Sequence, residues 1–128
     1  YSIYFDNSAN QSPNALISNC SFESTGGTPI QVFGSGVVKV SNCIFIGNAI
    51  RSLYVDGNGK TFVDNCIFQQ TGLSRTFLIV NQAQFRGKNN FFYTCTLTAN
   101  GTGSGYLNES FFENTPDFLI TNLNFTVN

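Results

Sequence analysis

The sequence predicts an all-β chain wound as a right-handed parallel β-helix, a solenoid of about five rungs with about 23 residues per rung. Three observations carry that expectation. The pair Asn-x-x-Phe occurs six times, where composition alone predicts roughly two. The first three copies repeat at fixed intervals and share their residue types. Charged residues make up only 10% of the chain against 41% hydrophobic, and polarity comes instead from 17 Asn, 12 Ser and 12 Thr. That mixture suits strands and tight bends rather than helices.

The copies begin at Asn19, Asn42, Asn65, Asn89, Asn108 and Asn122, at intervals of 23, 23 and 24 residues that shorten to 19 and 14. The last copy is therefore expected in a different strand or a capping turn. The best-matched runs are Ile17-Ser18-Asn19-Cys20-Ser21-Phe22, Val40-Ser41-Asn42-Cys43-Ile44-Phe45 and Val63-Asp64-Asn65-Cys66-Ile67-Phe68. Strict alternation would put Val40, Asn42 and Ile44 on one face, yet the shared pattern keeps Val, Cys and Phe. The two agree if parity slips by one residue at each Asn, which tolerates the left-handed conformation such a bend needs. Each copy then reads as strand, Asn bend, strand, with Val or Ile, Cys and Phe inward. Between copies, Ile30-Gln31-Val32 matches Leu53-Tyr54-Val55 and Phe77-Leu78-Ile79, and a Gly or Asn turn follows each. Such a unit is one coil, and stacking coils buries a core that no single coil buries alone.

Leucine-rich repeats share the period, but their Leu spacing is absent, and propeller blades need about 40 residues or more. A barrel or sandwich of short alternating strands is the remaining rival; the column of Asn, Cys and Phe at one offset favours the solenoid. The run Asn42-Cys43-Ile44-Phe45-Ile46-Gly47-Asn48, the Phe111 to Asn114 copy and Gly26-Gly27-Thr28-Pro29-Ile30 resemble the Phe-x-x-Asn and Gly-Gly-Ala-Ile repeats of polymorphic outer-membrane proteins and related β-helix surface proteins. The wider architecture resembled is pectin-lyase-like. The resemblance covers residues 15 to 114 and implies a β-helix at a cell surface.

Asn19, Asn42, Asn65 and Asn89 are expected to form a structural ladder at the bend, their amides in register along the stack. The core stack is expected from Cys20, Cys43, Cys66, Phe22, Phe45, Phe68, Phe92 and Phe111. Rungs about 4.8 Å apart would permit one disulfide, but three thiols in a column cannot all pair, and small free Cys is commonly buried. Cys95 falls off this column. Sequons begin at Asn10, Asn19, Asn100, Asn108 and Asn124; Asn10, Asn100, Asn108 and Asn124 are the candidates for glycosylation.

Residues for enzymatic chemistry are sparse. The chain has no His, so the usual nucleophile and base pairs are missing. Glycoside hydrolysis needs two carboxylates across a cleft, and Asp6, Glu23, Asp56, Asp64, Glu109, Glu113 and Asp117 form no pair that recurs across the best-aligned rungs. Asp64 replaces Ser18 and Ser41 at an outward bend position, and Glu109 is expected in place of the repeat Cys, with Glu113 on the same coil. The pectin-lyase-like resemblance implies acids clustered with Arg, Lys or His in an enzyme, a constellation the chain lacks. Gly57-Asn58-Gly59-Lys60-Thr61 imitates the end of a phosphate-binding loop but lacks Gly at position 54 and runs on as a strand. With no paired Cys-x-x-Cys spacing, no metal and no cofactor are expected. Tyr54, Tyr93 and Tyr106 are the candidates for an outward sugar platform.

Net charge is -1, and the six cations are spread singly or in pairs along the sequence, which argues against nucleic acid as partner. No apolar run approaches the roughly 20 residues of a membrane span. Residues 1–128 are therefore expected to be a single β-helix segment, part of a longer β-helix or an assembly subunit. Its expected role is structural or adhesive, in an extracellular or cell-surface protein, with other copies or continuing rungs as partners in a filament. The alternative is a carbohydrate partner, in a polysaccharide-binding or polysaccharide-processing domain of lyase or hydrolase type.

Overall fold

The computed structural model describes residues 3–5, 14–24, 26–47, 53–70, 75–79, 84–94, 96–99, 102–113, 118–120 and 125–128. These form 17 short strands, gathered in three sheets of six, six and five. Each strand pairs in parallel with the third strand along the chain, as Ile30–Val32 does with Leu53–Val55 and Val37–Ser41 with Lys60–Asp64. The chain thus visits the three sheets in turn as a parallel solenoid; among the described residues five coils contribute a strand to each sheet, and a sixth contributes two, Phe118–Ile120 and Phe125–Val127. The first sheet opens with Ile3–Phe5, the second with Asn14–Ser18 and the third with Ser21–Ser24.

The bend between the second and third sheets explains the parity slip. Asn19, Asn42, Asn65 and Asn89 have φ of 55, 52, 54 and 54°, a conformation that costs most L-residues about 1–2 kcal/mol and that Asn visits routinely. Their backbone N–H groups donate to Ser41, Asp64, Lys88 and Asn108 carbonyls at 3.0–3.2 Å, so the parallel ladder runs through the corner unbroken. All four side chains are exposed. At another turn, Gly57 (φ 86°) lies so close to Gly34 of the coil beside it that an added Cβ would sit 2.6 Å from the Gly34 nitrogen. That turn admits no side chain.

Inward residues stack in columns. Ile17, Val40 and Val63 are buried, and five residues after each comes an inward Phe. The rings stack in sequence: Phe22 on Phe45 at 4.8 Å, Phe45 on Phe68 at 4.6 Å, Phe68 on Phe92 at 5.1 Å, and Phe92 on Phe112 at 5.0 Å, with planes within 10° of parallel. Their separation follows the strand spacing of about 4.8 Å.

The fifth coil corrects the sequence reading by one residue. Phe111 is 59% exposed, and Phe112 takes the inward place in register with Phe92. The bend residue is Glu109, with φ of 50°, while Asn108 pairs with Lys88 in the strand before it. The cause is the buried Leu107. Once it fills the aliphatic column, the bend falls two residues later and the inward ring five later, as in the other coils. The match Asn108-x-x-Phe111 is out of phase with that geometry. Glu109 accordingly does not replace the repeat Cys; Ser110 does. The sixth Asn-x-x-Phe copy lies in a different strand, Phe125 pairing with Gly105 in the second sheet.

Candidate functional site

The column just past the bend comprises Cys20, Cys43, Cys66, Asn90 and Ser110. Four of these side chains donate to the carbonyl two residues back: Cys20 to Ser18 at 3.2 Å, Cys43 to Ser41 at 3.2 Å, Cys66 to Asp64 at 3.3 Å and Ser110 to Asn108 at 3.2 Å. Cys43 and Cys66 also reach the coil before, to the Ile17 and Val40 carbonyls at 3.8 Å. Asn90 reaches the equivalent Val63 carbonyl with its Nδ2 at 2.8 Å, and its Oδ1 in addition accepts from the Cys66 N–H at 3.0 Å. Cys20, Cys43 and Cys66 are free thiols. Burial pushes the Cys66 thiol up to about 12 and raises Cys43 as well. Thiols held neutral are poor nucleophiles and metal ligands, and the part Cys43 and Cys66 play here is to donate hydrogen bonds to backbone carbonyls. Asn90 and Ser110 were missed in the sequence; counting three residues on from Gly87 and Leu107 finds both. Cys95 lies outside the described residues.

The outer face of the second sheet concentrates charge that is scattered along the sequence. Leu16, Lys39, Phe62, Arg86, Tyr106 and Thr126 form one outward column in register. Lys39 Nζ lies 6.0 Å from the Phe62 ring centre; the Arg86 guanidinium lies 5.8 Å from Phe62 and 5.9 Å from Tyr106. Lys60 and Lys88 stand in the flanking outward columns. Four of the chain's six cations thus share a face, because 23-residue spacing along the chain is nearest-neighbour spacing in the solenoid. At the edge of this face, Asn58, Gln84, Thr102, Gly103 and Ser104 line a polar depression of about 390 Å³.

The outer face of the third sheet carries an apolar patch between polar ends. One column runs Ser21, Ile44, Ile67, Phe91, Phe111, and the next runs Glu23, Ile46, Gln69, Tyr93, Glu113. Ile44, Ile46, Ile67 and Phe111 are four of the five exposed large hydrophobic residues among those described. Phe91 and Phe111 stack outside the core at 5.4 Å.

The carboxylates lie apart. Asp56 accepts from the Tyr54 hydroxyl at 3.0 Å and from the Gly57 N–H at 2.6 Å, closing a turn. Glu109 meets Lys88 at 3.4 Å, and Glu23 and Glu113 stand at opposite ends of one column. Among the described residues no three His, Cys, Asp or Glu side chains converge as a metal-holding group. Asp6 and Asp117 lie outside the described residues. Tyr54, Tyr93 and Tyr106 belong to the first, third and second sheets, so they do not make one platform. Thr61 is buried within the strand Lys60–Asp64, so the phosphate-loop imitation builds no cradle. Of the sequon residues, Asn19 is exposed at its bend, Asn108 accepts from Asn128 Nδ2 at 3.1 Å, and Asn10, Asn100 and Asn124 lie outside the described residues.

The family described as right-handed beta helix region matches residues 1–128. No curated protein and no solved structure matches the chain.

Proposed function

From the premise that the chain belongs to the right-handed β-helix family, we propose that it is a structural or adhesive segment of an extracellular or cell-surface protein, stacked end to end with further coils. The observation that supports this is the state of the sheet edges. Among the described residues, the outermost strands of each sheet, such as Asn14–Ser18 and Phe125–Val127 in the second, pair on one side only. Such strands offer a row of N–H and C=O groups that templates another strand. Continuing coils of the same protein, or a second copy, satisfy them with the same parallel register. The exposed bend and turn positions are mostly uncharged amides and hydroxyls, which suits a contact surface rather than a catalytic cleft. No helix is long and apolar enough to cross a membrane.

The test is light scattering with small-angle X-ray scattering over a concentration series. The expected result is a particle that lengthens with concentration. A particle of constant length at every concentration would sink end-on stacking. Surface location is checked by protease treatment of intact cells producing the full-length protein; a fully protected segment speaks against it.

A second reading, a polysaccharide-binding or polysaccharide-processing domain, is favoured by the polar depression lined by Asn58, Gln84, Thr102, Gly103 and Ser104. Its hydroxyl and amide lining offers donors and acceptors to a polyol. Affinity electrophoresis against neutral and acidic polysaccharides tests it, with unretarded migration in all of them as the negative result.

A further inference from the structure

The second and third sheets present faces of complementary chemistry. The third-sheet face offers exposed Ile44, Ile46, Ile67 and Phe111, with Glu23 and Glu113 at the two ends of its second column. The second-sheet face offers the half-buried rings of Phe62 and Tyr106 among Lys39, Lys60, Arg86 and Lys88. We infer that the third-sheet face of one copy docks side by side on the second-sheet face of another copy.

Three arguments select that occupant. The first is charge: on the outward columns of the second sheet four cations stand against Asp64, with Glu109 at the bend paired to Lys88, and the outward columns of the third carry carboxylates and no cations. Pairing either face with its own kind would set like charges against each other, which disfavours that arrangement. The second is spacing. Both faces repeat once per coil, about every 4.8 Å, so the rows of one copy mesh with those of the next without change of register. The third is the apolar patch itself, since contiguous exposed hydrophobic surface on a soluble domain usually has an occupant. Nucleic acid is a poorer fit to the cationic face, because Asp64 repels phosphate and the isoleucine face would stay uncovered.

The contact is small. Five strands of three or four residues cover on the order of 300 Å², below the ~800 Å² per partner of a standard stable interface. Association through it is therefore weak and appears at high concentration. Because the two faces differ, the pairing does not close on itself, and copies add in an open row. This row runs across the solenoid axis and does not depend on the end-on stacking proposed above. Scattering separates the two, since lateral pairing widens the particle cross-section while end-on stacking lengthens it.

The experiment uses the whole chain and two variants at exposed positions, Ile67→Lys on the third-sheet face and Arg86→Glu on the second, with folding confirmed by circular dichroism. The wild-type cross-section is expected to grow up to the highest soluble concentration. Each variant alone is expected to associate sideways at least tenfold more weakly. An equimolar mixture is expected to recover pairs, because each variant keeps the face the other has lost, and to stop at two. A constant wild-type cross-section overturns the inference. So does lateral growth of Arg86→Glu alone, which would mean the apolar face pairs with itself. Binding of heparin or DNA that Arg86→Glu abolishes, in a wild type that never widens, would assign the cationic face to a polyanion instead.

Discussion

Asn90 Oδ1 accepts a 3.0 Å hydrogen bond from the backbone N–H of Cys66, one coil away. With the second bond from Asn90 Nδ2 to the Val63 carbonyl, one buried amide satisfies two backbone groups where the other coils place a thiol or a hydroxyl. Leaving a buried backbone group without a partner costs about 1–3 kcal/mol. Asn90→Ala is expected to destabilise by about 2–4 kcal/mol on that basis, and Asn90→Cys, which restores the thiol of the earlier coils, by less. Urea denaturation of the two variants checks the order. Equal losses would mean that a thiol at this position restores neither bond, and a loss below about 1 kcal/mol for Asn90→Ala would mean that the Cys66 and Val63 groups find other partners.

The bends make a separate prediction. Asn65→Ala forces a β-carbon into the left-handed region and is expected to cost about 1 kcal/mol. Asn65→Gly removes that penalty and is expected to be near neutral. Glu109 already carries the strain, at φ 50°. Glu109→Asn is expected to raise stability by up to about 1 kcal/mol, since the Lys88–Glu109 pair it breaks is more than half exposed and such pairs contribute little. Melting temperature reads both, and a lower value for Glu109→Asn would show the ion pair outweighing the backbone.

The same corner shows what was legible in the sequence. Coils one to three could be read because Ile17, Val40 and Val63 precede Asn and Cys at one offset, so backbone need and side-chain type coincide. In the fifth coil they separate: Glu109 occupies a position that favours Asn, and Asn108 stands beside it in an ordinary strand site. Asn108 then pairs by pattern with Phe111, while packing selects Phe112. The outer faces were hidden for another reason. Lys39, Lys60, Arg86 and Lys88 look dispersed until the coil length is applied, and only then fall on one sheet. The period was therefore visible before its consequences for the surface.

The exchange of Phe111 for Phe112 can be measured. Truncating a buried ring costs about 3–5 kcal/mol, and Phe68 in mid-stack is fully buried. Phe68→Ala is expected in that range, Phe112→Ala somewhat below it near the end of the stack, and Phe111→Ala below about 1 kcal/mol, as for surface sites. Chemical denaturation of the three would reject the register if Phe111→Ala cost more than Phe112→Ala.

The buried thiols give a dependence on pH. In the unfolded chain Cys66 ionises near its ordinary value of 9.0, whereas in the fold burial holds it neutral to about 12, and Cys43 is shifted in the same direction. Below pH 9 both states keep the proton, and the stabilisation is constant. Between pH 9 and 12 the unfolded chain releases protons that the fold retains, so stability falls as pH rises. The guanidinium midpoint is expected to decline over that window and to decline less in Cys66→Ala. At pH 8 Cys43 and Cys66 should resist a thiol reagent until the chain is unfolded. A midpoint flat to pH 11 would mean the thiols are not protected.

Gly87 tests how the core accommodates a larger neighbour. It lies in the aliphatic column between Val63 and Leu107, where a β-carbon would sit 2.5 Å from Leu107 Cδ2, 3.0 Å from Asn90 Nδ2 and 3.2 Å from Phe85 Cε1. Neither Leu107 nor Phe85 has any exposure, so the neighbours have little room to retreat. Leu107 fills the space that a Val on Gly87 would have used, and the two positions share one volume. Gly87→Ala would ordinarily favour a strand by about 0.5–1 kcal/mol, but here overpacking is expected to reverse the sign and destabilise by about 1–3 kcal/mol. Leu107→Val withdraws the clashing methyl and by itself leaves a small void. If the volume is shared, Gly87→Ala in the Leu107→Val background loses much less than in the wild type, and the double-mutant cycle shows a coupling of about 1 kcal/mol or more. Strictly additive losses would instead locate the conflict at Asn90, whose amide would have to give up its bonds to Cys66 and Val63.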